Sequence, residues 1–220
     1  MARPEPAAAS SSPSAKLRVQ SLTRTGTIGE RLKVTLSDGS AFSFPETSLP
    51  DHGLLPAQLE PGAELEEEAV RRLGELARAS EVRQRALRLL AGGAHSVRGL
   101  ERKLLARGAE PRLVTAELER LAGAGLLDDQ AYAAAWVRQR LERHPEGQGP
   151  LLAGLEHHGV SRELAGAVVR AELTQEAERA GAEALVQKLL RRTGMTPERL
   201  QGVLVRRGFR RSLIRELLGD

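Results

Sequence analysis

The chain has 220 residues, 40% of them hydrophobic, with a formal net charge of +4 and no cysteine. Without cysteine there is no disulfide framework and no thiolate chemistry, and aromatics at 2% exclude a platform for stacking single-stranded bases. No apolar run approaches a membrane span, the first residues lack the apolar core of a secretory leader, and a cytoplasmic location is expected.

Residues 1–15, "MARPEPAAASSSPSA", bury too little to fold and are expected to form a disordered tail. From residue 16 to 46 apolar and polar residues alternate. Leu32, Val34 and Leu36 share one strand face, Phe42 and Phe44 share another, and Asp38-Gly39 between the two runs is a hairpin signal. Leu17 and Val19 suggest a further strand. So small an antiparallel sheet needs a partner to pack on. The helical pattern over 63–80, with Leu65, Ala69, Leu73 and Leu76 on one face, supplies it. Residues 16–80 therefore form a small sheet-plus-helix N-terminal domain.

From residue 81 onward the pattern is helical, and it repeats. Gly108, Gly159 and Gly208 align with Leu104, Leu155 and Leu204 before them, and with Leu113, Leu164 and Leu213 after them. Further columns hold Leu118, Val169 and Leu218, then Leu90, Leu141 and Leu190, then Ala86, Val137 and Val186. Three repeats follow, 81–127, 128–175 and 176–220, each of three helices. The helices are expected over 81–91, 96–107 and 110–123; over 129–143, 148–158 and 161–172; and over 176–192, 196–207 and 210–218. Each glycine sits where a left-handed C-cap is wanted. Ser96, Asp128 or Asp129, Ser161 and Thr196 stand at helix starts as N-caps. Units of this size bury little alone and must stack, so the fold class is mainly α: three tandem three-helix repeats in an extended curved array behind the small sheet domain.

The positive excess sits at the C-terminal end, where residues 188–220 hold nine basic and three acidic side chains. Arg206, Arg207, Arg210 and Arg211 flank the Gly208 turn, with Lys188, Arg191, Arg192 and Arg215 on adjoining helices. Arg138, Arg140 and Arg143 extend the charge into the second repeat. A solvated surface laced with ion pairs would need no more than this. The local imbalance favours a contact with phosphates or an acidic partner face, and arginine serves either. Asp128 and Asp129 precede a helix carrying Tyr132 and Trp136, and helix capping explains them more simply than a metal or catalytic pair. Gly92-Gly93 and Gly147 read as loop punctuation. The five histidines lack zinc-site spacing, and no phosphate-binding glycine loop or nucleophile elbow is present. The chain is expected to be no enzyme, to need no cofactor or metal, and to be a monomer off the membrane.

Two strings carry a family resemblance. "RALRLLAGGAHSVRGLERKLLARG" (85–108) and "VTAELERLAGAGLLDDQAYAAAWVRQRL" (114–141) resemble the RecX regulatory proteins of bacteria. The second follows that family's Leu-x-x-x-Gly-x-Leu-Asp-Asp-x-x-[Phe/Tyr]-Ala pattern through Asp128, Asp129, Tyr132 and Ala133. The first departs from it, with Gly99-Leu100 in place of Glu-Leu and Glu101 one position later. The resemblance covers about 81–220. It implies binding to the RecA recombinase filament on single-stranded DNA and inhibition of its ATP hydrolysis, strand exchange and coprotease activity, in DNA repair and the SOS response; some members also bind DNA. Two other readings stay open: a protein that acts on single- or double-stranded DNA without RecA, and a scaffold recruited by residues 16–80.

Overall fold

The computed structural model describes residues 16–26, 31–191 and 195–219; the expected tail over 1–15 and Arg192 lie outside the described residues. By packing, the chain divides into Met1–Arg85 and Ala86–Asp220. The fold is mainly helical, with one small antiparallel sheet near the N-terminus.

The sheet has four strands: β1 (Leu17–Thr25), β2 (Arg31–Leu36), β3 (Ala41–Pro45) and β4 (Glu64–Leu65), in the order β3-β2-β1-β4. Asp38 and Gly39 turn β2 into β3. Gly39 takes a φ of 85°, and the Asp38 carboxylate accepts from the Ser40 amide at 2.9 Å and its hydroxyl at 2.6 Å. The register pairs Leu32 with Phe44 and Val34 with Phe42. The two alternating sets therefore meet on one side. Leu32, Val34, Leu36 and Phe44 are fully buried there, and Phe42 packs partly exposed beside them.

Helix α1 (Glu67–Ala91) closes this core with Leu73 and Leu76. It differs from expectation at both ends. Glu64 and Leu65 do not begin a helix but pair with Arg18 and Leu17 of β1, because the Pro61-Gly62 turn delivers them to the sheet in extended form. The helices expected over 63–80 and 81–91 are also a single helix. No glycine or proline interrupts residues 75–91, so nothing ends the hydrogen-bond ladder at Ser80.

The rest is helical: α2 (Val97–Leu105), α3 (Pro111–Gly123), α4 (Asp129–Arg143), α5 (Gln148–His157), α6 (Arg162–Glu172), α7 (Gln175–Leu190), α8 (Pro197–Arg206) and α9 (Arg211–Leu218). Helix α2 packs on α3, α4 and α5 on α6, and α8 on both α7 and α9. One core holds Val137, Leu151, Leu155 and Val168; another holds Leu185, Leu204, Phe209 and Ile214. Ser96, Asp128, Ser161, Thr174 and Thr196 each accept from the amide three residues on. Such a cap is worth about 1 kcal/mol. Gly108, Gly159 and Gly208 follow α2, α5 and α8 with φ of 77°, 91° and 76°, the left-handed geometry a C-cap glycine provides. No described helix is long and apolar enough to cross a membrane.

Candidate functional site

Two joints of the same design organise the helical part. At the first, the Ser96 hydroxyl caps α2 and donates to the carbonyl of His158, at the end of α5. Arg102 donates to the next carbonyl back, His157, at 2.8 Å. Gly159 lies so close to Arg98 and Gly99 that a Cβ there would stand 2.7 Å from the Arg98 Cβ. At the second joint, Gly147 at the start of α5 donates its amide to the Arg207 carbonyl at 2.8 Å, and Gly208 lies against Pro150. Ser96 and Gly147 each stand twelve residues before their glycine, and Gly99 and Pro150 each stand nine before. Gly147 is therefore no mere loop punctuation. Its φ of −83° suits any residue; what demands glycine is the Gly208 carbonyl, which occupies the space a Cβ would need.

The aspartate pair is divided between two tasks. Asp128 caps its own helix α4 through the Ala131 amide at 2.9 Å. Asp129 reaches across to the Val97 amide at 2.7 Å and so caps α2, a helix 32 residues earlier. Both are structural, and among the described residues no three His, Cys, Asp or Glu are grouped to hold a metal. Tyr132 and Trp136 line the same joint, where His158 meets them at ring-centroid distances of 6.3 and 5.5 Å. Partial burial, then the charge of Asp129, raises the Tyr132 hydroxyl above its usual range. Partial burial, then His157, Arg102 and Lys103, lowers the His158 imidazole below its usual value.

Four of the basic residues singled out in the sequence are held by internal carboxylates. Arg138 pairs with Glu172 at 2.7 Å. Arg140 reaches Glu146 at 2.7 Å and lies 6.0 Å over the Trp136 ring. Arg207 adds a longer contact to the same Glu146 oxygen at 3.7 Å. Arg210 bonds Glu178 through its amide and its guanidinium, the latter at 2.6 Å. Glu146 and Glu178 are the buried partners, each with its side chain 5% exposed, whereas Arg140, Arg207 and Arg210 keep 37–47%. These ion pairs fasten the second joint and the start of α9. Sequence reading missed Glu146 and Glu178, although the glycine alignment carries a signal: Glu178 falls in one column with Asp129, and Glu146 with His95 and Met195.

Lys188, Arg191, Arg206, Arg211, Arg215 and Arg143 are exposed and have no ion-pair partner among the described residues. Arg211 and Arg215 border a groove of about 560 Å³ between α8 and α9, floored by Gln201, Val205 and Ile214. Val205 is 50% exposed there, and Arg206 follows it in sequence. The groove thus offers an apolar strip edged by cations that no described carboxylate neutralises.

The family described as RecX, second three-helix domain, matches residues 128–175, which hold α4, α5 and α6. The regulatory protein RecX of Treponema pallidum (strain Nichols) is 38% identical over 133 residues, covering 60% of this chain and 80% of that protein. The chain belongs to the RecX family. The RecX of Mycobacterium avium (strain 104) is 35% identical over 150 residues, covering 66% of this chain and 86% of its own. Two solved structures share the fold. A regulatory protein RecX superposes with a TM-score of 0.73 at 23% identity, over 93% of this chain and 99% of that one. RecX from Lactobacillus salivarius gives 0.59 at 18% identity, over 64% and 95%. The Treponema and Mycobacterium relatives carry the name of regulatory proteins.

Proposed function

We propose that this RecX protein is a negative regulator of the RecA recombinase. It binds the RecA filament on single-stranded DNA and inhibits ATP hydrolysis, strand exchange and coprotease activity, within DNA repair, homologous recombination and the SOS response. It does so as a cytoplasmic monomer and without catalysis. The helices form three tandem three-helix repeats, 81–127, 128–175 and 176–220, which follow the sheet domain over 16–80 along the chain. The recurrence of one joint design between α2 and α5, and again between α5 and α8, supports that reading. A stacked array spans several filament subunits, so weak contacts gain avidity. A rod that prefers one filament state shifts the whole assembly toward it.

The observation that carries the electrostatic part is the set of exposed cations without a carboxylate partner among the described residues, Lys188, Arg191, Arg206, Arg211 and Arg215, of which Arg211 and Arg215 line the groove at Val205. Arg143, and Arg192 beyond the described residues, add to the same charge. Arg138, Arg140, Arg207 and Arg210 act by holding the array together. The test is RecA ATP hydrolysis on single-stranded DNA, titrated with the full chain and with the triple variant R206E/R211E/R215E. Loss of three charge contacts is expected to raise the concentration for half inhibition by on the order of tenfold or more at low salt. Unchanged inhibition sinks the assignment of this surface. Inhibition by the unaltered chain only near saturation of the DNA would instead favour competition for the strand.

A further inference from the structure

The two joints share a design but differ in charge. At the second, Glu146 stands thirteen residues before Gly159 and its carboxylate receives Arg140 and Arg207. Arg207 is the residue just before Gly208. The same two places at the first joint hold His95, thirteen before Gly108, and His158, just before Gly159. Both are imidazoles. The second joint carries its anion as part of the chain; the first has protonatable rings in its place and a cleft of about 390 Å³ beside them.

Donors converge on that cleft from separate elements. His95 comes from the loop before α2, Arg102 and Lys103 from α2, and His157 and His158 from the end of α5. Lys103 Nζ lies 3.4 Å from His95 Nε2, an arrangement of two groups that compete to carry a proton. No carboxylate lines the cleft. Asp129 at the start of α4, which acts on Tyr132 beside the cleft, is turned to the Val97 amide, and Tyr132 of the same helix adds a hydroxyl. Burial and Lys103 lower His95 below its usual value, as burial and His157, Arg102 and Lys103 lower His158. Two permanent cations, Arg102 and Lys103, thus face imidazoles that burial and those charges disfavour protonating, a condition that a bound anion relieves.

We propose that this cleft is a binding site for a phosphate group, held by Lys103, Arg102 and the protonated rings of His95 and His158. Donors placed on several sides suit a tetrahedral oxyanion, which accepts on every face, better than the two oxygens of a carboxylate. The site lies apart from the α8–α9 groove and stands whether or not the chain acts on RecA. Binding is linked to protonation. An anion favours the charged imidazoles, so affinity rises as pH falls toward the histidine range, and the occupied site holds its histidines protonated to higher pH.

Sulfate is the probe, because its charge does not change near neutral pH and any pH dependence then belongs to the protein. The His ring resonances of the full chain are followed by NMR as sulfate is added, with chloride at matched ionic strength as the control. Saturable shifts of His95 and His158 are expected, with affinity falling on the order of tenfold between about pH 6 and about pH 8. Lys103→Gln, a change at an exposed position, should weaken binding by about tenfold or more. Equal shifts with chloride, or undiminished binding by Lys103→Gln, overturn the site. Two competitors then identify the source. Displacement by ribose 5-phosphate marks a phosphomonoester, and displacement by a short oligonucleotide lacking terminal phosphates marks a backbone phosphodiester. Sulfate that neither displaces is an adventitious ion only, and that result also refutes the proposal.

Discussion

Two glycines at the start of α5, two residues apart, should respond in opposite ways to the same methyl group. Gly147 donates its amide to the Arg207 carbonyl at 2.8 Å, and its missing Cβ would fall on the Gly208 carbonyl and 2.7 Å from the Phe209 amide. Both obstacles are backbone, so Gly147→Ala must push the second joint open. The displaced hydrogen bond costs about 1 kcal/mol net, more if its donor and acceptor stay dry. The forced packing around Pro150 and Gly208 adds about 1–3 kcal/mol. A total near 3 kcal/mol corresponds to a fall in Tm of roughly 6–12 °C for a chain of this size. Gly149 has nothing within 4 Å of its Cβ position, and alanine there gains helix propensity, up to about 1 kcal/mol. Trp136 of α4 is the single tryptophan and touches Gly154 of α5, so its fluorescence reports on this region during thermal or urea unfolding. Gly147→Ala proving as stable as Gly149→Ala would show that the close approach does not hold the joint together.

Gly154→Ala would drive its methyl into the Trp136 indole; a loss of about 1–3 kcal/mol and a changed tryptophan emission are expected, and an unchanged spectrum contradicts the packing. Glu178→Ala should cost more than Arg210→Ala, because the carboxylate serves both the amide and the guanidinium of Arg210. Their double-mutant cycle should give a coupling of about 1 kcal/mol, discounted because Arg210 reaches water; additivity would place the pair among surface contacts of no consequence. His95 and His158 are both held below their ordinary value, so the unfolded chain takes up protons first as pH falls. The stability they contribute is present above about pH 6.5 and is lost as pH drops through their lower folded values. His158→Gln should flatten that part of the Tm–pH profile, and a slope of opposite sign would disprove the linkage.

Much of this was legible in one dimension. The alternation of Leu32, Val34 and Leu36 and the Asp38-Gly39 turn specify a hairpin, because strand periodicity and left-handed φ are local properties. Ser96, Ser161 and Thr196 announce helix starts, and Gly108, Gly159 and Gly208 their ends, for the same reason. The strings around Asp128 and Tyr132 point to the family through residue identity alone. Helix α1 is the local misreading: Ser80 looked like a boundary, but an uninterrupted run of helix formers carries the ladder to Ala91.

What only the tertiary structure decided is which charges are already spent. By sequence, Arg206, Arg207, Arg210 and Arg211 are one basic run. In space Arg207 and Arg210 belong to Glu146 and Glu178, carboxylates 61 and 32 residues away, while Arg206 and Arg211 face solvent. Asp129 likewise shows nothing in its own neighbourhood of the helix it caps. Ion pairing and close backbone approach depend on distance through space, and a chain position fixes that distance only within a turn or two. Sequence therefore settled most of the elements and the family, and packing settled which residues build the joints and which charges stay exposed.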